Sequence, residues 1–356
     1  MNRPDQSSME LNFRSDNEAP AAPEIIEALL RANRGTAWSY AEDEWSERLD
    51  SAFSDLFGTP TTALPLSTGT AANSIALACV APPWGSVYCH HGAHIVRDEG
   101  GAPEFFGNGL RLVPVAGADG KLDAAGLGQA IRSNAGHGVH SYTPSVLSLT
   151  QSTEAGTVYQ ADEVFALCQL ARDHGMHTHM DGARFANAVA ALGDSAASTS
   201  WQAGIRMLSF GAGKNGCIGA EALLFFGDPE LRDRAERLRK RSGHLLSKMR
   251  FVSAQLLAYI ENDLWLRLAA HANGQARIFA EAVAAHPGAQ LEYPAEANEV
   301  FVRWSAAGFS ALENAGVQFF TWPGHDDLAR FVFSHHTREE ETSRLCEELE
   351  RLSGCA

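Results

Sequence analysis

Val146-Leu147-Ser148-Leu149-Thr150, a helical pattern from Asp162 to His174, and Met176-His177-Thr178-His179-Met180 follow one another directly. Two short apolar runs flanking an amphipathic one read as strand, helix, strand. The same alternation extends in both directions. Strands are expected at 63–66, 86–89, 110–115, 206–210 and 222–226, with helices at 68–80 and 122–132 between them. Repeated strand–helix–strand units predict an α/β fold, a mainly parallel seven-stranded sheet covered on both faces. Ligands of such sheets bind beyond the carboxyl ends of the strands, so the segments that follow strands are where chemistry is sought.

Downstream the pattern changes. Residues 229–286 are mostly helical; after Pro287-Gly288 short strands are expected at 290–293, 299–304, 317–320 and 329–333. Helices are expected at 306–314 and 339–352, the last with Thr337 and Glu340 spaced as a capping box. This predicts a smaller C-terminal α+β domain. The division is an N-terminal segment 1–20, a large domain 21–255 and a small domain 256–356, with the first ten residues mobile.

Composition narrows the function classes. The chain has 356 residues, of which 45% are hydrophobic and 20% charged, ordinary for a globular protein. A net charge of -15 repels phosphate backbones, which disfavours nucleic-acid partners. No run approaches the roughly 18 apolar residues of a membrane helix, and the polar start lacks a signal-peptide core; a cytoplasmic protein is expected. Six sparse cysteines, none in a C-x-x-C pair, read as reduced thiols.

Four post-strand segments could carry chemistry. Ser67-Thr68-Gly69-Thr70-Ala71-Ala72-Asn73 brings small residues, hydroxyls and a helix N-terminus together, which suits an anion or a simple helix cap. In His177-Thr178-His179-Met180-Asp181-Gly182-Ala183-Arg184, residues two apart share a strand face. The set suits a metal, or an Asp181 that keeps a pyridine nitrogen protonated. Ser209-Phe210-Gly211-Ala212-Gly213-Lys214-Asn215-Gly216 places a lysine among small residues, with room for a bulky imine or as a plain loop lysine. His90-His91-Gly92-Ala93-His94, with Asp98 and Glu99, suits a metal or a ring stacked on a flat cofactor.

Taken together, these segments resemble the threonine aldolase branch, low-specificity L-threonine aldolases, of the beta-eliminating lyase family among the fold type I pyridoxal-phosphate enzymes. The likeness extends from about Leu11 to Leu352, densest at 13–17, 89–106, 148–154, 179–187, 207–216 and 243–255. It implies pyridoxal 5'-phosphate as cofactor, a Schiff base on Lys214, Asp181 at the pyridine nitrogen and His94 on the ring face. It further implies Gly69, Thr70 and Ser209 at the phosphate, helped by Arg250 of a neighbouring subunit. Ser15, Arg184 and Arg330 would hold the substrate carboxylate, and His140 would lie near the substrate side chain. His94, His140 or a water held by one of them is the candidate base.

The implied reaction is reversible cleavage of a β-hydroxy-α-amino acid to glycine and an aldehyde. The implied assembly is a homo-oligomer, a dimer or tetramer, with shared sites. The chain departs from the family at Gly213, where Thr is expected, and in its His90-His91 and His335-His336 doublets. Apart from the resemblance, Arg330 inside an apolar strand asks for a partner and could instead form a salt bridge within the small domain. Rival readings are another reaction of the same cofactor (β-elimination or transaldol transfer), a metal-dependent hydrolase built on His90, His91, His94, His177, His179 and Asp181, and a non-catalytic protein on the same fold.

Overall fold

The computed structural model describes residues 11–134 and 136–353. The first ten residues, expected to be mobile, and Cys355 lie outside them.

Seven strands form the central sheet: β1 Thr61–Leu66, β2 Gly85–His90, β3 Arg111–Val115, β4 Thr143–Thr150, β5 His177–Gly182, β6 Met207–Gly211 and β7 Glu221–Phe226. Their order is β1-β7-β6-β5-β4-β2-β3. β2, β3, β4, β5 and β6 run parallel to one another, whereas β7 is antiparallel to both of its neighbours, β1 and β6. These are the seven strands read from the sequence, most of them longer by one to three residues. β1, β2 and β6 are buried along their whole length, because helices cover both faces.

Alternation along each strand feeds two separate cores. Leu208 and Phe210 of β6, with Leu224 and Phe226 of β7, enter one; Met207, Leu223 and Phe225 enter the other. On the first side an aromatic layer supports β6. Phe210 lies 5.2 Å from Phe53 and 5.7 Å from Trp265, ring to ring, and Phe185 stacks on Trp265. On the second side packs helix Gly69–Val80, almost entirely apolar and small.

A third core belongs to the C-terminal strands and helices. Its four-stranded antiparallel sheet contains Gln290–Leu291, Glu299–Arg303, Phe320–Thr321 and Leu328–Val332. The strand expected at 317–320 is two pieces: Val317–Gln318 instead pairs, in parallel, with the unexpected strand Leu11–Asn12. Phe13 continues that attachment, donating its N–H to Gln318 and stacking 5.0 Å from Phe333. The 22-residue helix Leu264–Ala285 joins two of these cores, with Trp265 and Ala269 in the first sheet-face core and Phe279 and Val283 in the C-terminal one.

The last helix, Glu339–Arg351, begins one residue later than the capping-box reading requires. Arg338 is its N-cap, and the Arg338 N–H donates to Glu341 Oε2 at 2.9 Å. Thr337 is taken by the preceding turn, where its hydroxyl accepts the Ser334 N–H. The five described cysteines are free, as expected. Among the described residues no helix is long and apolar enough to cross a membrane.

Candidate active site

The parallel strands end at one edge of the sheet, and the segments that follow them line a cleft of about 500 Å³. β1 leads into Ser67-Thr68-Gly69-Thr70, β2 to His94, β4 to Glu154, and β6 to Lys214, while Asp181 stands near the end of β5. Five separate stretches therefore meet because a parallel sheet puts every strand exit on the same side.

Asp181 is buried and held at both oxygens. Oδ1 accepts the Ala183 N–H at 3.0 Å, and Oδ2 accepts from Asn73 Nδ2 at 2.8 Å. Asn73, within 2.8 Å of Glu99 Oε1 as well, ties Asp181 to Glu99. Glu99 in turn lies 2.9 Å from His94 Nδ1. That bond raises the proton affinity of His94; partial burial opposes it and Asp181 reinforces it. His94, Glu99 and Asp181 hold ligand atoms within 4.8 Å of one another.

Lys214 sits in the tight turn Gly213–Asn215 directly after β6. Its charge reaches Asp16, Glu221 and His94. Opposite, Thr68 caps helix Gly69–Val80, its hydroxyl accepting the Ala71 N–H at 3.2 Å. Nothing lies within 4 Å of where a Gly69 side chain would stand. An open helix N-terminus rimmed by Ser67, Thr68 and Thr70 is a ready anion cradle.

Two further carboxyls line the cleft. Glu154 Oε1 accepts the His94 N–H at 2.6 Å and the Thr150 hydroxyl at 3.1 Å. Burial, aided by Asp181, pushes Glu154 up to about 7 despite those bonds. Glu221 Oε2 accepts the Ala212 N–H at 3.0 Å and Oε1 the Gly213 N–H at 3.3 Å. Burial raises it to about 7 as well, against the pull of those amides and of Lys214.

Arg184 lines the cleft with its guanidinium already engaged. Nε and Nη2 grip Asp16 at 2.7 and 3.0 Å, and Nη1 lies 3.1 Å from Glu299. Burial alone would lower its proton affinity; Asp16 and Glu299 outweigh that and raise it. For Asp16, the charges of Arg184 and Lys214 outweigh burial, so its carboxyl stays below the usual range.

Of the expected site residues, Lys214, Asp181, His94, Gly69, Thr70 and Arg184 line the one cleft. Five others do not line it in this chain. Ser15 caps the turn Asp16–Glu18, its oxygen accepting from Asn17, and Asn17 lines the cleft instead. Ser209 is buried against His179, 3.0 Å away. Arg250 opens helix Arg250–Ile260 with its guanidinium over the Phe251 ring. Arg330 pairs with Glu299 at 3.3 Å, the small-domain salt bridge left open by the sequence. His140 precedes β4, so it lies at the amino edge of the sheet, in a second cavity with Arg111 and Tyr142.

The histidines of the metal reading are dispersed. His179 is buried, with Ser148 on one ring nitrogen and Ser209 on the other, and burial lowers it to about 4. His90 bonds Gly117 O and the Gly92 N–H. His177 is exposed at the amino end of β5.

Sequence reasoning assigned no role to Asn73, Glu154, Glu221, Asp16 or Glu299. A lone Asn inside the apolar run Ala71 to Val80 was a usable signal for the first; nothing in the sequence marks Glu221.

Residues 12–307 match the model of the family described as beta-eliminating lyases. The low specificity L-threonine aldolase of Pseudomonas aeruginosa is 42% identical over 342 residues, 96% of this chain and 98% of that one. The structure of a Leishmania major threonine aldolase superposes with a TM-score of 0.89 at 27% identity, covering 96% of this chain and 99% of that one. An Escherichia coli protein with methionine aminotransferase function shares the fold alone, with a TM-score of 0.73 at 14% identity over 96% of this chain and 94% of that one.

Proposed function

The chain belongs to the beta-eliminating lyase family, and from that membership we propose that it is a low-specificity L-threonine aldolase using pyridoxal 5'-phosphate. It cleaves L-threonine, L-allo-threonine or related β-hydroxy-α-amino acids to glycine and an aldehyde, reversibly. The fold is that of the type I pyridoxal-phosphate enzymes. One observation carries the reading: Lys214, in the turn after β6, and Asp181, on the adjacent β5, share one cleft with an open helix N-terminus.

The residues present fit the cofactor. Gly69, with hydroxyls around it, leaves an open cradle for a phosphate. Asp181, fixed by Asn73 and the Ala183 N–H, suits a protonated ring nitrogen. Asn73 Oδ1, Glu99 Oε2 and Glu154 Oε2 are buried around the site without partners. When bound, the group supplies an electron sink for the pair left at Cα as the Cα–Cβ bond breaks.

The chain's own residues do the rest. Lys214 supplies the amine that carries the cofactor and later moves a proton at Cα. His94, with Nδ1 held by Glu99, is the cleft histidine in position to take the β-hydroxyl proton. His140 could share that task only if another copy brings it in. Arg184 binds the substrate carboxylate, and Asp16 and Glu299 orient it by fixing three of its nitrogens.

A homo-oligomer is part of the proposal. Arg250, expected at the cofactor phosphate, and His140, expected near the substrate side chain, lie outside their own chain's cleft, and a neighbouring subunit would supply them. The test is product analysis by NMR with L-threonine and pyridoxal phosphate. Glycine with acetaldehyde is expected, and Lys214→Ala should abolish turnover while melting like the parent. 2-Oxobutyrate with ammonia would instead identify an eliminating lyase, as the family's name allows; substantial turnover in Lys214→Ala would overturn the assignment of the lysine.

A further inference from the structure

We propose that Glu221 is the positioning residue of Lys214: its carboxylate clamps the turn that carries the lysine and places a negative charge beside the lysine-bound cofactor. The inference rests on Lys214 being the cofactor lysine.

The topology brings Glu221 there. β7 is the strand of the sheet that runs antiparallel, so its first residue, not its last, stands at the edge where the parallel strands end. In register, Glu221 lies between Leu66 and Gly211. Its two oxygens take the N–H groups of Ala212 and Gly213, the two residues before Lys214. Both amides would otherwise lack a partner in a wall of the cleft.

The same carboxylate fills the space beside the glycine at 213. A Cβ there would lie 2.8 Å from Glu221 Oε1, closer than carbon and oxygen can approach. Gly213 does not have a positive φ, so backbone strain is not the reason. A side chain at 213 must push the carboxylate aside; with glycine the carboxylate occupies that space and does the holding.

The charge of Glu221 changes near neutrality, since burial lifts it to about 7. The groups facing it are Lys214 on the turn, Asp181 on β5, Cys217 on the following loop and Tyr259 on helix Arg250–Ile260. Burial keeps both Cys217 and Tyr259 protonated well above neutrality. Glu221 is therefore the group of this set that gains charge as pH rises through about 7, within electrostatic reach of Lys214, whose nitrogen colours the bound cofactor when protonated.

Two measurements test this. In the cofactor-free protein, hydrogen exchange of the Ala212 and Gly213 amides should be at least tenfold faster in Glu221→Ala than in the parent, with β6 unchanged. In the loaded protein, the visible absorbance of the lysine-bound cofactor should switch to its shorter-wavelength, deprotonated form about one pH unit earlier in Glu221→Gln. Glu221→Asp should recover part of that shift, and melting curves report whether each variant is folded. Unchanged exchange at the two amides, or a Glu221→Gln titration superimposable on the parent's, overturns the proposal. A parent protein that forms no lysine-bound chromophore refutes the reading of Lys214 instead, and the exchange measurement still decides whether Glu221 clamps the turn.

Discussion

At the scale of single residues, the cleft concentrates buried carboxyls around one lysine. Glu154 and Glu221 each hold a proton up to about 7, whereas in the unfolded chain a glutamate releases it near its ordinary value. Between those limits the native state binds more protons than the unfolded one, so these two groups contribute less stability as pH rises through about 7. His179 acts in the opposite direction at lower pH: lowered to about 4, it favours the native state increasingly as pH rises toward the ordinary histidine range. Asp16, held low, has its full contribution throughout this window. Comparing variants isolates one group. Glu154→Gln cannot ionise, so its melting temperature without cofactor is expected to gain on the parent's as pH rises through about 7. Parallel melting curves against pH would show that Glu154 is ionised in the native state.

At the scale of elements, β6, the strand that leads to Lys214, owes its position to what lies beneath it. Phe210 is fully buried, and its ring meets Phe53, Phe185, Tyr259 and Trp265 from four different helices. Phe210→Ala removes the ring from a layer that can refill only partly, so denaturant unfolding should register a loss of about 3–5 kcal/mol. A loss under about 1 kcal/mol would mean that the surrounding helices collapse into the space. Helix Gly69–Val80 is the other supporting element. Its small apolar residues let it lie close to the sheet, and its single internal amide, Asn73, reaches Asp181 and Glu99.

At the scale of the whole molecule, one ionic chain joins three parts of the fold. Asp16 of the N-terminal segment, Arg184 after β5, and Glu299 and Arg330 of the C-terminal sheet pair in series. Asn298 Nδ2 adds a bond to Asp16. Losing one partner would leave a buried charge uncompensated, which costs far more than the pairing itself contributes. Assembly belongs to this scale as well. The active protein is expected to be at least a dimer by light scattering; a clean monomer with full activity would remove Arg250 and His140 from the site.

The sequence by itself determined the seven sheet strands, their alternation with helices, and the grouping of Lys214, Asp181, His94 and the Ser67-Thr68-Gly69-Thr70 turn at strand exits. These are local facts: hydrophobic periodicity and small residues act over a few positions, and parallel connections then place all exits on one edge. The tertiary structure decided what long-range pairing controls. Leu11 and Asn12 became a strand only because Val317 and Gln318 offer an edge. That Arg184 and Arg330 both pair with Glu299 is visible only in the fold. Glu221, at the start of an apolar run, has the signature of a solvated strand end; the reversed direction of β7 carries it into the cleft instead. His140 shows the converse, since a chain position before β4 puts it at the opposite edge from Lys214. Strand direction and charge pairing depend on residues far apart in the chain, so no window of sequence contains them.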